Sequence, residues 1–359
     1  MAARAGRGAW LAWALVRTLT QRELNRTLLA RQLLLERART PIPRTLERMG
    51  TLQAQYAPAM YIGLWSRMEG LNRDQVTRAL ERRTIVQATL MRTTIHLASA
   101  RDYWPLEVAV REGRIAAWAR SHRDYDGRAW KDAARRLRAR LAETGPLRRV
   151  EVEELLGKEF ARGIHAVVPL VRVPPSGTWE RRRADLYGDA EDWLGPPPAS
   201  LSREDGLELL VRRYLGGFGP STQKEIAGFA GLQVGEVEPV LDRMKLRRFR
   251  AEDGAELLDL PRAAIADGDV PAPVRLLPVW DATLLVHSRR TQILPDEHRS
   301  RVFNPRTPHS VNTFLVDGAV AGTWRFEDGR VETEPFERLD RATKRSLRDE
   351  ADRLAAFHA

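Results

Sequence analysis

Apolar positions in this chain follow a helical period over most of its length and a strand period near its end. From Ser202, which reads as an N-cap, Leu207, Leu210, Val211 and Tyr214 recur at helical spacing until Gly216-Gly217 stops the run. A second short helix follows Gly219-Pro220, capped by Ser221 and carrying Ile226, Ala227 and Phe229, and Gly231 turns the chain into a third from Val234 to Met244. Lys245 to Ala251, the tight Glu252-Asp253-Gly254 turn and Glu256 to Leu260 then predict a two-stranded wing. Three helices and a hairpin make a winged helix over 201–265.

The same order of signals occurs twice more. Gly145-Pro146-Leu147-Arg148-Arg149-Val150-Glu151 aligns with Gly219-Pro220-Ser221-Thr222-Gln223-Lys224-Glu225, and Gly157 with Gly231, which predicts a repeat over 124–195. Its helices are expected at Ala129 to Glu143, after Pro146, and near Ile164 to Val171, with the wing from Trp179 to Trp193. A divergent copy opens the chain over 20–123, with helices at Arg22 to Arg37, from Pro43 to Met49, from Pro58 to Met68 and from Asn72 to Arg82. Strands at Ile85 to Leu90 and Thr93 to Leu97 follow. Pro196-Pro197-Pro198 links the first two copies to the last. Residues 270–359 form a β segment at Val274 to Val279, Val311 to Asp317 and Ala319 to Phe326, closed by a helix from Phe336 to Phe357 that its alternating Arg and Glu mark as a solvated cover. Residues 1–19 read as a poorly ordered extension. The fold class is therefore α+β, with three tandem winged-helix motifs, a C-terminal β segment and a terminal helix.

Composition narrows the chemistry. Against 48 Asp and Glu stand 59 Lys and Arg, a formal charge of +11 that favours a polyanionic partner. The absence of cysteine excludes disulfides, thiolate metal sites and a Cys nucleophile. Arg4 and Arg7 before the short apolar run Ala9 to Val16 imitate a signal peptide without a cleavage site, and no run reaches the ~18–20 residues that span a bilayer, so a cytoplasmic chain with no membrane partner is expected. No Walker loop, dinucleotide glycine motif or G-x-S-x-G elbow is present. Asp296-Glu297-His298 reads as a polar loop, and neither a metal nor a cofactor is expected. Two basic groups are DNA-binding candidates: Arg243, Lys245, Arg247 and Arg248, running from the third helix into its wing, and Arg299, Arg301, Arg306 and His309 in a long polar loop. Such residues neutralise phosphates, giving salt-dependent affinity with little sequence preference.

Four further segments belong together: Leu52-Gln53-Ala54-Gln55-Tyr56, Leu90-Met91-Arg92-Thr93-Thr94-Ile95-His96-Leu97, Leu276-Leu277-Pro278-Val279-Trp280-Asp281, and Val316-Asp317-Gly318-Ala319-Val320-Ala321-Gly322-Thr323-Trp324. In this order, among winged helices, they resemble the tandem winged-helix DNA glycosylases typified by the azinomycin-resistance interstrand-crosslink glycosylase. The resemblance runs from about Leu24 to the C-terminus. It implies a concave, C-shaped surface that holds duplex DNA, and it assigns catalysis to Gln53 and Gln55 through a glutamine-hydrophobic-glutamine motif. Relatives acting on simpler alkylated bases tend to carry Asp at the second position, so Gln55 points to the crosslink-unhooking, toxin-resistance branch; the small Ala54 between the glutamines departs from the pattern. The implied activity is that of a monofunctional, monomeric DNA glycosylase, which hydrolyses the N-glycosidic bond of alkylated purines in double-stranded DNA, including bulky adducts or interstrand crosslinks, in repair or self-resistance. The alternatives are a non-catalytic winged-helix regulator, which would bind a specific sequence, and a protein that sequesters lesions and leaves no abasic site.

An isolated Gln-x-Gln ordinarily caps a helix or bonds a loop. Residues two apart in an extended segment, however, project to the same side, so two amides can converge on one water. An amide is not a general base, so the substrate has to supply the reactivity. An N7- or N3-alkylated purine does so, because its positive charge weakens the glycosidic bond and removes the need for a strong acid. Arg92, Thr94 and His96 share a face if their segment is a strand, and are candidates for lining the pocket, with a structural hydrogen bond an equal reading for His96. Trp280-Asp281 and Trp324 fit either a site or a buried β core.

Overall fold

The computed structural model describes residues 16–122, 126–285, 290–303 and 310–359. The fold is α+β. In the first segment, α1 (Gln21–Arg31) starts from a Thr20/Glu23 capping box and α2 (Ile42–Met49) ends at a left-handed Gly50. A short β2 (Leu52–Gln53) leads into α3 (Ala57–Trp65), which is buried all round, and α4 (Arg73–Glu81) is capped by Asn72 and Gln75. The hairpin β3 (Ile85–Thr89) and β4 (Ile95–Ser99) follows. The next element, α5 (Ala100–Ser121), packs on α10 (Arg203–Phe218), where a side chain at Gly206 would come within 2.4 Å of the Pro105 carbonyl oxygen. Glycine is what lets the two helices approach.

The second segment holds α6 (Gly127–Thr144), β5 (Leu147–Arg148), α7 (Arg149–Leu156), α8 (Lys158–Gly163), β6 (Leu170–Arg172), β7 (Leu186–Asp189) and α9 (Ala190–Leu194). The helix expected near Ile164 to Val171 is not continuous: a 3-10 turn covers Ile164–Ala166, and Leu170 and Val171 are strand. Pro169 explains the switch, since it disfavours helix at the residue before it and the chain leaves it extended. The hairpin therefore runs from 170 to 189, while Trp179, expected to open a wing, is only 6% exposed and packs on Tyr61 and Phe357.

In the third segment α11 (Gln223–Ala230) and α12 (Val234–Arg243) precede β8 (Arg247–Ala251) and β9 (Glu256–Asp259). The aligned glycines both take positive φ, +83° at Gly157 and +75° at Gly231, and the residue after each aligned proline bridges the second hairpin strand, Leu147 to Tyr187 and Ser221 to Leu258. At the N-terminus, β1 (Thr18–Leu19) adds a parallel third strand to β8, with Leu19 wholly buried. The expected extension thus contains a strand at its end; residues 1–15 lie outside those described.

Strand pairing welds the first two segments into one sheet, in the order β2-β4-β3-β6-β7-β5, through the register Gln87↔Arg172 and Ala88↔Val171. β2 is its edge. The C-terminal sheet runs β10 (Arg275–Leu277), β11 (Thr313–Val316), β12 (Ala319–Glu327), β13 (Arg330–Pro335). The final helix, α15 (Arg341–His358), counting two short helices at Ala282–Leu285 and Arg299–Val302 before it, is more than a solvated cover. Leu347, Ala351, Leu354 and Phe357 are buried, and Glu350 forms a buried ion pair with Arg37. Among the described residues no helix is long and apolar enough to cross a membrane.

Candidate functional site

β2 carries Gln53 to the edge of the six-stranded sheet, opposite His96 on β4. Ala54 points into the core, 1% exposed, so its neighbours Gln53 and Gln55 face the other way; Gln53 is half-buried and Gln55 exposed. Each amide oxygen has a fixed donor. Arg92 Nη2 lies 3.5 Å from Gln53 Oε1, and the Ile95 backbone N–H donates to Gln55 Oε1 at 3.1 Å. Because the Ala54 N–H already donates to the Ile95 carbonyl at 2.7 Å, the Gln55 side chain continues the ladder where the backbone of β2 turns away.

Arg92 does not belong to the strand that period two would require. It sits at the hairpin tip in a 3-10 turn, Met91–Thr93, where Arg92 and Thr93 both take left-handed φ, +52° and +59°. Two adjacent non-glycine residues in that region store strain that packing must offset. The packing comes from the third segment: Arg92 donates to the Phe229 carbonyl at 2.9 Å, its guanidinium lies 5.4 Å from the Phe229 ring, and a side chain at Gly231 would meet the Arg92 backbone nitrogen at 2.9 Å. Thr94 and His96 do share a side, with Thr94 Oγ1 3.4 Å from His96 Nδ1.

Burial dominates the electrostatics here. It lowers Arg92 to about 10, leaving it charged at neutral pH, and together with the nearby Arg92 charge it pushes His96 down to about 3. Neither shift has a carboxylate among its causes. His96 is therefore a neutral ring, and with the Thr94 carbonyl 3.0 Å from Nδ1 that nitrogen is the donor. Burial also lowers His165 to about 3. In the unfolded chain both imidazoles return to about 6.5, so below that pH the unfolded state binds more protons. Stability is full above pH ~6.5 and is lost as pH falls from there towards 3, by up to ~1.4 kcal/mol per pH unit for each histidine. Melting curves between pH 7 and 4 should show this decline, and a shallower one in His96→Gln; an unchanged slope would mean that His96 does not carry it.

Among the described residues, several of the basic candidates are partly neutralised or held by neighbours. Arg243 pairs with Glu204 at 3.0 Å, Arg248 pairs with Glu256, and Arg247 leans on Phe249 at 4.7 Å, while Lys245 is exposed. Arg299 is exposed and Arg301 lies 4.3 Å from the Phe336 ring; Arg306 and His309 fall outside the described residues. Two residues beside the glutamines were not singled out by sequence. Tyr56 is 39% exposed, and Arg182, from the β6–β7 connection, donates to its hydroxyl at 3.4 Å. Only the run Arg181-Arg182-Arg183 hinted at the second.

What this arrangement can do is limited by what it contains: two held amides, a buried cation and a histidine too weakly basic to take a proton at neutral pH. It can orient a water against a substrate that already carries the activating charge. Trp280-Asp281 belongs elsewhere, since both Asp281 oxygens accept from Arg67 at 2.8 Å with neither side chain exposed. Trp324 donates to the Leu277 carbonyl at 2.9 Å inside the C-terminal sheet.

A family model described as DNA glycosylase AlkZ-like matches residues 46–357. Among solved structures, the chain is similar to the Streptomyces sahachiroi DNA glycosylase AlkZ, with a TM-score of 0.79 and 18% identity over 95% of this chain and 98% of that one. At that identity the likeness is one of fold. No curated protein matches.

Proposed function

The chain belongs to the AlkZ-like DNA glycosylase family, and from that premise we propose that it hydrolyses the N-glycosidic bond of alkylated purines in duplex DNA, bulky adducts and crosslinks included, at Gln53 and Gln55. The observation that carries this reading is the pair of outward-facing amides, which among the described residues have no carboxylate as hydrogen-bond partner and lie beside a histidine too weakly basic to take a proton at neutral pH. A neutral purine would need its N7 or N3 protonated before leaving; an alkylated one is already cationic, so positioning water and stabilising an oxocarbenium-like sugar are what remain for the protein. Lone pairs of the amide oxygens serve both ends. Arg92 and the Ile95 N–H hold those oxygens in place, and Thr94 and His96 pack beneath them as pocket wall. Among the described residues no lysine is a hydrogen-bond partner of either glutamine, so in this reading the bond is broken by water and the product is an abasic site.

In the same reading, 20–123, 124–195 and 201–265 act as three tandem winged-helix modules that, with 270–359, form a concave cradle for a monomer on DNA. Lys245, Arg247, Arg299 and Arg301, with Arg243, Arg248, Arg306 and His309, touch phosphate. The test is incubation of the purified protein with duplex DNA carrying N7-methylguanine or a nitrogen-mustard crosslink, followed by alkaline strand cleavage. Cleavage at the lesion alone is the expected result; tight binding with no cleavage on either duplex would mean that the protein acts on some other damage.

A further inference from the structure

Among the described residues, the two large aromatic side chains most open to solvent, Tyr56 and Phe326, each 39% exposed, line one cavity of about 350 Å³ together with Trp179, Trp324 and His358. Tyr56 follows Gln55 directly. Resting on the reading that Gln53 and Gln55 form the reaction centre, we propose that this cavity is a stacking subsite for a planar, uncharged aromatic ring that enters with the damaged purine.

Several features point this way. One face of Phe326 is covered by the His358 ring, 3.9 Å away and 18° from parallel, so its exposed part is the other face and edge. Trp179 stands edge-on to the same imidazole at 5.0 Å and 75°. The lining is thus already a stack with an open end, and a ring placed there gains the offset and edge contacts that aromatic pairs favour. His358 adds no charge at neutral pH, being lowered to about 4 by burial and by Arg73 and Arg182. Its Nε2 is buried without a hydrogen-bond partner, a polar atom that the edge of a heteroaromatic ring can satisfy. At the rim, Arg182 has the Tyr56 hydroxyl as partner, whereas Arg181 and Arg183 both pair with Asp185. It is the cation of that run left to meet a phosphate flanking the lesion. Elsewhere such exposed aromatics would be a solubility liability; grouped beside a reaction centre they mark a binding surface.

The ring has two possible sources, an aromatic substituent on the alkylating group or an undamaged base displaced from the stack, and the experiment separates them. Wild type, Phe326→Ala and Tyr56→Ala, all full-length, are assayed on duplexes carrying N7-methylguanine or N7-benzylguanine, and in complex with a methylated duplex that has 2-aminopurine opposite the lesion. If the substituent is the occupant, both variants lower the ratio of kcat/KM for the benzyl over the methyl substrate by roughly tenfold, as expected from loss of one stacking partner. If the occupant is a displaced base, the ratio holds, and the 2-aminopurine emission change seen on binding wild type is lost in both variants. Release of both bases with an unchanged ratio and unchanged emission sinks the subsite alone. A wild type that releases neither base sinks the reading of the reaction, and this inference with it.

Discussion

Gln53→Ala and Gln55→Ala are each expected to slow single-turnover release of an alkylated purine by at least tenfold, and by about 30- to 900-fold where one positioned polar group is worth ~2–4 kcal/mol. Duplex affinity should change by less than about threefold, because phosphate contacts supply most of it. The two losses should not add. If both amides hold one water, removing either releases it, and the double variant should be little slower than the worse single one. A purely structural role predicts something different. Gln55 continues the β2–β4 ladder by accepting from the Ile95 N–H, so its loss leaves one exposed strand donor to water and costs about 1 kcal/mol of stability. Melting temperatures measured beside the rates separate the two: unchanged release with a lowered melting point would leave Gln55 as a ladder cap, and unchanged release in both variants would remove the pair from the mechanism.

Much of this was legible in the sequence because short-range chemistry set it. The Ser202 cap, the Gly231 turn and the hairpin around Gly254 are local signals, and each appears where the chain's periodicity placed it. The matching positive φ at Gly157 and Gly231 was visible for the same reason, since glycine signals mark where the backbone must take that conformation. What could not be read was whatever depends on distant partners. Leu19 becomes a strand only because β8 offers it an edge, and α5 shows no clean apolar stripe because it is contacted on several sides. Arg92 was a candidate for a period that it does not obey; it reaches Gln53 because the third segment, through Phe229 and Gly231, holds the hairpin tip in a left-handed turn. Nothing near Arg92 in the chain announces that contact, 137 residues away. The cavity beside Tyr56 likewise draws on α3, the β6–β7 connection, the residues around β10 and β11, β12 and α15; the motif segments of the sequence supply Tyr56, Pro278, Val279 and Trp324, but nothing local brings Trp179, Arg182 and His358 to them.

Asp281→Ala is expected to destabilise the fold by ~3–5 kcal/mol, the usual cost of leaving one half of a buried ion pair behind. Arg67 follows the C-terminal end of α3, the helix that leaves Gln55, and Asp281 follows β10; their two 2.8 Å hydrogen bonds, with Thr283 also donating to Asp281, tie the site-bearing segment to the C-terminal sheet. Both side chains are wholly buried, so the orphaned guanidinium could not be rehydrated without opening the interface between them. Replacing both partners removes the charge problem, and Arg67→Met with Asp281→Leu should recover most of the loss, as paired apolar substitutions of buried ion pairs often do. Denaturant titration of the two single variants and the double one measures the coupling. Base release by the folded fraction of each should stay near that of wild type, because neither residue contacts the glutamines. A double variant no more stable than the single ones would mean that the pair's geometry, and not only its charge balance, sets how the two segments meet, and a Trp280-Asp281 motif that looked like chemistry would then be the joint on which the site is built.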